Sequence, residues 1–204
     1  MQWGAGQYGS APLKKRNNNS KNIVYIMAIS CSLNKNLLRT NTCGYSLPEI
    51  TDIYLANFSE VTSAPVQYDC ESGVVVTGIT LATGATFYHI EPAKNSVTFT
   101  DELVAEDNGN KYRTHTITFN LSGKYDKDMV CPLDALSLGR FFCVCHTADD
   151  EYLALGRAVG LEANAASLQG GGDTNGITVT LTANVTESAV PLNDAAIAVV
   201  KNNG

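Results

Sequence analysis

Two stretches of the chain alternate strictly between apolar and polar positions. Over Tyr112–Leu121 (YRTHTITFNL), Thr114, Thr116 and Thr118 alternate with His115, Ile117 and Phe119. Over Ile177–Val185 (ITVTLTANV), Ile177, Val179, Leu181 and Val185 alternate with Thr178, Thr180 and Thr182. A period of two belongs to a strand with one buried and one wet face. Both segments therefore predict strands of a barrel wall, or of a sheet that other strands join. Between them, Asp126–Leu138 (DKDMVCPLDALSL) predicts one helix, with acidic residues at its start, Pro132 marking its first turn and Gly139 just past its end. Arg140–Ala148 and Tyr152–Leu155 flank Asp149-Asp150-Glu151 and predict a hairpin with an acidic turn. Gly156–Leu168 reads as an extended, irregular strand, and Gly170-Gly171-Gly172-Asp173 as a loop.

The first half carries weaker patterns. Asn22–Leu33 (NIVYIMAISCSL) predicts a first strand or an extended arm, and Asn34–Leu47 a loop. In Ile50–Val61 the core candidates are Ile53, Leu55 and Phe58. Val74–Leu81 is β-branched, and Gly73, Gly78 and Gly84 punctuate it as bends or bulges do. Phe87–Ile90 and Ser96–Leu103 predict short strands, and Asn108-Gly109 is a hairpin signal ahead of Tyr112. Ala195–Val200 reads as an edge strand or terminal contact. Turn signals spaced by about 8 to 12 residues argue for a β-sandwich or barrel. The expected fold is thus mainly β with one flanking helix. The expected organisation is a basic extension over residues 1–26, a β domain over 27–190 and a C-terminal segment over 191–204.

At 204 residues, 44% hydrophobic and 17% charged, the chain can bury one substantial core. Its apolar runs fall short of the roughly 20 residues that a membrane-spanning helix needs. The net charge is −6, from 14 basic and 20 acidic residues. Residues 1–26 hold four basic residues (Lys14, Lys15, Arg16, Lys21) and no acidic one, which leaves 10 against 20, or −10, beyond them. A body this acidic repels nucleic acid, because phosphate binding needs clustered Lys and Arg. The basic segment, with its glycines and Asn17–Asn19, reads as a flexible lead-in and matches no secretory signal. Met27-Ala-Ile-Ser reads as an alternative start.

Candidate chemistry is sparse, and the expectation is a protein without catalytic, cofactor or metal residues. The cysteines at 31, 43, 70, 131, 143 and 145 predict free thiols in a reducing cytoplasm. Cys143, Cys145 and His146 lack the Cys-x2-Cys spacing and second ligand pair of a zinc site, and the cysteines read as buried strand residues. His89 and His115 adjoin no nucleophile motif. Asp173-Thr174-Asn175-Gly176 starts like a calcium loop, but Thr182 stands where the glutamate is needed, so a tight turn is expected. The carboxylate groups Asp149-Asp150-Glu151 and Asp101-Glu102 read as solvated turn and strand acids rather than an acid–base pair. The sole tryptophan, Trp3, lies in the basic segment, which leaves few aromatic platforms for a carbohydrate-binding or adhesin module.

The order of these elements resembles that of the tail tube proteins of tailed bacteriophages. The resemblance runs from Arg113–Phe119 through Asp134-Ala135-Leu136, Arg140–Val144 and Tyr152–Gly156 to Gly172–Leu181, roughly the second half of the chain. It implies a β-sandwich or barrel of the tail tube type, six copies of which form a ring. Stacked rings make a tube through which the genome passes as transient cargo. It further implies assembly in the bacterial host cytoplasm, residence in the virion tail, no enzymatic activity and no membrane partner. Terminator, sheath or baseplate components are the partners implied beyond the chain itself. Asn34–Leu47 and the N-terminal lead-in become candidates for contacts between rings. Another virion β-protein, such as a tail terminator, head–tail connector or capsid decoration protein, is the alternative.

Overall fold

The computed structural model describes residues 49–69, 73–121, 127–169 and 176–202. They lie in the second of two compact units, which spans residues 37–204. Expectations for Asn22–Leu33, Asn34–Leu47, Gly170–Asp173 and the segment 1–26 fall outside the described residues. In chain order the strands are β1 (Ile50–Asn57), β2 (Val61–Ser63), β3 (Val66–Asp69), β4 (Gly73–Val76), β5 (Thr80–Leu81), β6 (Tyr88–Ile90), β7 (Thr98–Ala105) and β8 (Lys111–Leu121). Helix α1 (Val130–Leu138) precedes β9 (Arg140–Thr147), β10 (Tyr152–Leu155), β11 (Leu161–Gln169), β12 (Gly176–Val185) and β13 (Val190–Pro191), and α2 (Asp194–Asn202) follows. The fold is mainly β, built around one large antiparallel sheet.

That sheet forks at β9. One edge of β9 pairs with β1, which in turn carries β6. The other edge is shared, with β10 taking Cys143–His146 and β11 taking Arg140 and Phe141. From this fork one branch continues to β13, and the other runs β11-β12-β8-β7. Ribbons β2–β5 and β3–β4 stand outside the large sheet.

Two apolar clusters explain the fork. Ile53 and Leu55 of β1 and Phe141, Cys143 and Cys145 of β9 join Ile117 and Phe119 of β8 and Val179 and Leu181 of β12 in the first cluster. Because β1–β9 and β8–β12 send side chains to the same cluster, the two halves of the sheet lie over one another. Ile50 belongs to this cluster as well. A register shift between Ile50 and Asp52 accounts for that, since one extra residue flips the face presented by those before it. The alternate residues Ala56, Phe142 and Val144 face the second cluster, with Phe87, Val190, Leu192 and α2's Ala196 and Val200. Hence β9 is buried on both faces from Phe141 to Cys145, and its run FFCVC lacks alternation for that reason.

Two local expectations are corrected. Helix α1 begins at Val130, so Pro132 lies in its first turn as expected, but no acidic residue does, and Asp128 precedes the helix instead of opening it. Gly139 ends it with extended backbone, and its N–H donates to the Ala135 carbonyl at 2.8 Å. A Cβ there would strike the Phe141 ring and that carbonyl, so close packing against β9 is what requires glycine. The second correction is that Ala195–Val200 is helical. Asn193 caps α2 by accepting from the Ala196 N–H at 2.9 Å, Asp194 lies in the first turn and Lys201 in the last. Ala196 and Val200, four apart, share the face buried in the second cluster.

Candidate assembly surface

The outer face of β7, β8, β12 and β11 is a field of hydroxyls and carboxamides. With His115, Ile117 and Phe119 turned inward, the register places Thr118 opposite Thr180, Thr116 opposite Thr182, Asn120 opposite Thr178 and Thr114 opposite Asn184. Each of these four pairs is hydrogen-bonded side chain to side chain, at 2.9, 3.1, 3.3 and 3.0 Å respectively. The rows continue to Thr98 and Thr100 on β7 and to Ala165 and Ser167 on β11. Such cross-strand pairs contribute about 0.2–1 kcal/mol each and hold the strands in register. Charge enters the face at its flanks, as Glu102 on β7 and as Glu162 on β11, which is paired with Arg140.

Among the described residues neither margin of this four-stranded region carries a further strand along most of its length, and helix α1 packs near β11. β7 pairs with β8 alone. β11 meets β9 only at Leu161 and Glu162, and from Ala163 onward its sole strand partner is β12. An unpaired strand edge displays N–H and C=O groups that can accept a strand from another chain.

Of the residues considered for chemistry, the cysteines and Asp101-Glu102 do not converge, whereas His89, His146 and Asp150 meet around Asp52. Cys143 and Cys145 share a buried face with sulfurs 3.8 Å apart, and the Cys145 contact together with burial pushes the Cys143 thiol well above its ordinary range. His146, the next residue, points to the opposite face. Asp101 and Glu102 likewise diverge, since Asp101 turns inward to Arg113 while Glu102 faces outward. Among the described residues, no group of three or more His, Cys, Asp or Glu side chains could hold a metal ion. Residues 173–175 of the calcium-like turn lie outside the described part. An apolar cleft of about 660 Å³ lies between α1 and strands β1, β6 and β9, lined by Leu55, Tyr88, Leu133, Leu136 and Phe141 among others.

One polar cluster went unread in the sequence. Asp52 on β1 bridges two histidines, with Oδ1 2.7 Å from His89 Nε2 on β6 and Oδ2 3.0 Å from His146 Nδ1 on β9. His146 Nε2 lies 3.0 Å from Asp150 Oδ1 in the acidic turn. Tyr54 stacks on His89 at 4.9 Å and Tyr152 on His146 at 4.2 Å, and Lys201 of α2 sits 5.0 Å from the Tyr152 ring centre. Burial works to raise the Asp52 pKa, but the hydrogen bonds from His146 and His89 outweigh it and hold the carboxyl below its usual range. The Thr51 hydroxyl is 3.1 Å from His146 Nδ1, a nitrogen Asp52 already occupies, so the ring is not a free base for it. The cluster fastens β1, β6, β9 and the acidic turn together. No local motif signals it, because Asp52 lies 37 and 94 residues from its two histidines.

No family model matches the chain, and neither a characterised protein nor a solved structure is found similar to it. No helix among the described residues is long and apolar enough to cross a membrane.

Proposed function

We propose that the chain is a structural subunit of a phage-type tail tube, six copies closing into a ring and rings stacking into a tube. The observation that carries this reading is the four-stranded region β7-β8-β12-β11, polar on one face and without a further strand along most of both margins. Joined margin to margin, β7 of one copy against β11 of the next, such regions form a closed wall, and closure removes every open edge. The hydroxyl face then lines the bore. Hydroxyls and carboxamides already bonded to one another offer phosphate little to bind, and the flanking glutamates, with the acidic body behind them, repel it. In this reading the genome passes without sticking, the protein performs no catalysis and needs no cofactor, and its place is the virion tail after assembly in the host cytoplasm. Terminator, sheath or baseplate proteins would be its end partners. Negative-stain electron microscopy of the purified protein tests the reading. Tubes or stacked rings of uniform bore are expected. Single unstacked rings would favour a terminator, connector or decoration protein, and a strictly monomeric species at high concentration would contradict both.

A further inference from the structure

We propose that His115 is a proton-operated latch on the turn joining β10 to β11. The imidazole is 1% exposed, and its Nδ1 accepts the Gly156 N–H at 3.2 Å. Nδ1 therefore carries no hydrogen, and the ring is neutral with its proton on Nε2. Nε2 makes no well-formed hydrogen bond, lying 3.4 Å from Asp101 Oδ1 and facing the Glu187 backbone. A buried polar atom without a partner is uncommon and marks a place where a change of protonation alters the local balance.

The chain around the ring is arranged to respond. Gly156 opens the turn at φ +65°, a conformation that glycine adopts freely, and Gly160 N–H closes it onto the Gly156 carbonyl at 2.7 Å. Arg157 in the same turn clasps Glu187 in a bidentate pair and donates to the Ala64 carbonyl at 2.8 Å, and the Tyr68 hydroxyl donates to Glu187 at 3.3 Å. The charged groups facing His115 are Asp101 from β7, Arg113 from β8 and Glu187 from the segment after β12. Asp101 is itself bonded to Arg113 Nε and to the Ala189 N–H.

A second proton can enter the ring only at Nδ1, where it takes the lone pair that holds the Gly156 N–H. The proton comes from solvent, no other bond is made or broken, and the Gly156 N–H loses its acceptor as a cation appears in a buried site. Burial depresses the His115 pKa, and the carboxylates of Asp101 and Glu187 recover only part of that loss. The sign follows from linkage. A histidine depressed in the closed state binds its proton more readily once the turn opens. Closure is thus complete above the ordinary histidine range near pH 6.5 and weakens as the pH falls below it. The turn carries Gly160, which leads directly into β11, so release loosens the start of that strand.

The latch is independent of ring assembly, and its test does not require tubes. Hydrogen exchange of the full chain, followed by mass spectrometry and normalised to intrinsic rates, is measured on peptides covering 156–160 from pH 7.5 to pH 5. Protection should fall below about pH 6.5 by up to roughly tenfold per pH unit, the slope of one linked proton. His115→Gln, which offers hydrogen-bonding atoms without titrating in this range, should flatten the profile. Asp101→Asn removes the carboxylate facing Nε2 and disfavours the proton in the closed state further, so the onset near pH 6.5 should stay while the loss of protection by pH 5 is at least as large as in the wild type, which keeps the test decisive should the glutamine variant not fold. Unchanged protection of the wild-type turn across this range would overturn the proposal. So would an undiminished slope in His115→Gln, or a smaller loss of protection by pH 5 in Asp101→Asn than in the wild type.

Discussion

Strands β8 and β9 lie in the same sheet and read in opposite ways. β8 alternates cleanly, because its inward residues fill the first cluster while its threonines face outward. β9 shows FFCVC without alternation, because the chain packs a second layer, including α2, on its other face. An alternating strand thus marks a boundary of the molecule, and a continuous apolar strand marks its middle. The difference locates the candidate assembly surface on β7, β8, β12 and β11, and assigns β9 to holding the fold together.

Substitutions can sharpen this contrast. The largest effect is expected for Phe142→Ala on β9, which empties space in the second cluster and should cost about 3–5 kcal/mol in denaturant unfolding. Asp52→Asn weakens the bridge to His89 and His146 and should cost about 1.5–3 kcal/mol at neutral pH. Its pH dependence is distinctive. A carboxyl depressed in the folded state stabilises above its unfolded pKa near 3.9, and that stability is lost as pH falls through the lower folded value. The difference between Asp52→Asn and the parent should accordingly shrink below about pH 4, and a constant difference across that range would contradict the assigned role. The smallest effect is expected for Thr118→Val on the outer face, within about 0.5 kcal/mol of the parent in the same unfolding experiment, since the pair it breaks with Thr180 is only partly buried and both hydroxyls can turn to water. A loss comparable to that of Phe142→Ala would mean that the threonine face is interior.

Much of this contrast was legible in the sequence. The periods of β8 and β12, the Asn108-Gly109 hairpin, and the β9–β10 hairpin with its acidic turn depend on residues close together in the chain. Helix α2 is masked in the sequence because AAIAVV is rich in β-branched residues and reads as an edge strand or terminal contact. The signal that could have found it is Asn193 capping Ala196, with Asp194 and Lys201 at opposite ends. The late start of α1 is signalled by Pro132, and what misleads is the acids ahead of it, which resemble a first turn. The Asp52 cluster was beyond local reading, since strand pairing across long separations brings its members together. The buried setting of His115 was half legible, because the period places it on the inward face of β8, but its bond to Gly156 depends on a turn 41 residues away.

The role of the two margins can be tested by cysteine pairs across them. Outward positions on β7 (Thr98 or Thr100) are paired with outward positions on β11 (Ala165 or Ser167), one cysteine on each strand. Within one chain these strands are three steps of about 4.8 Å apart, too far for a disulfide. Between copies joined margin to margin they become neighbours. Mild oxidation followed by denaturing electrophoresis should give, for at least one combination, a ladder of multimers ending at a closed ring of six. Only monomer from all four combinations, at concentrations where the protein assembles, would contradict the joining of β7 to β11.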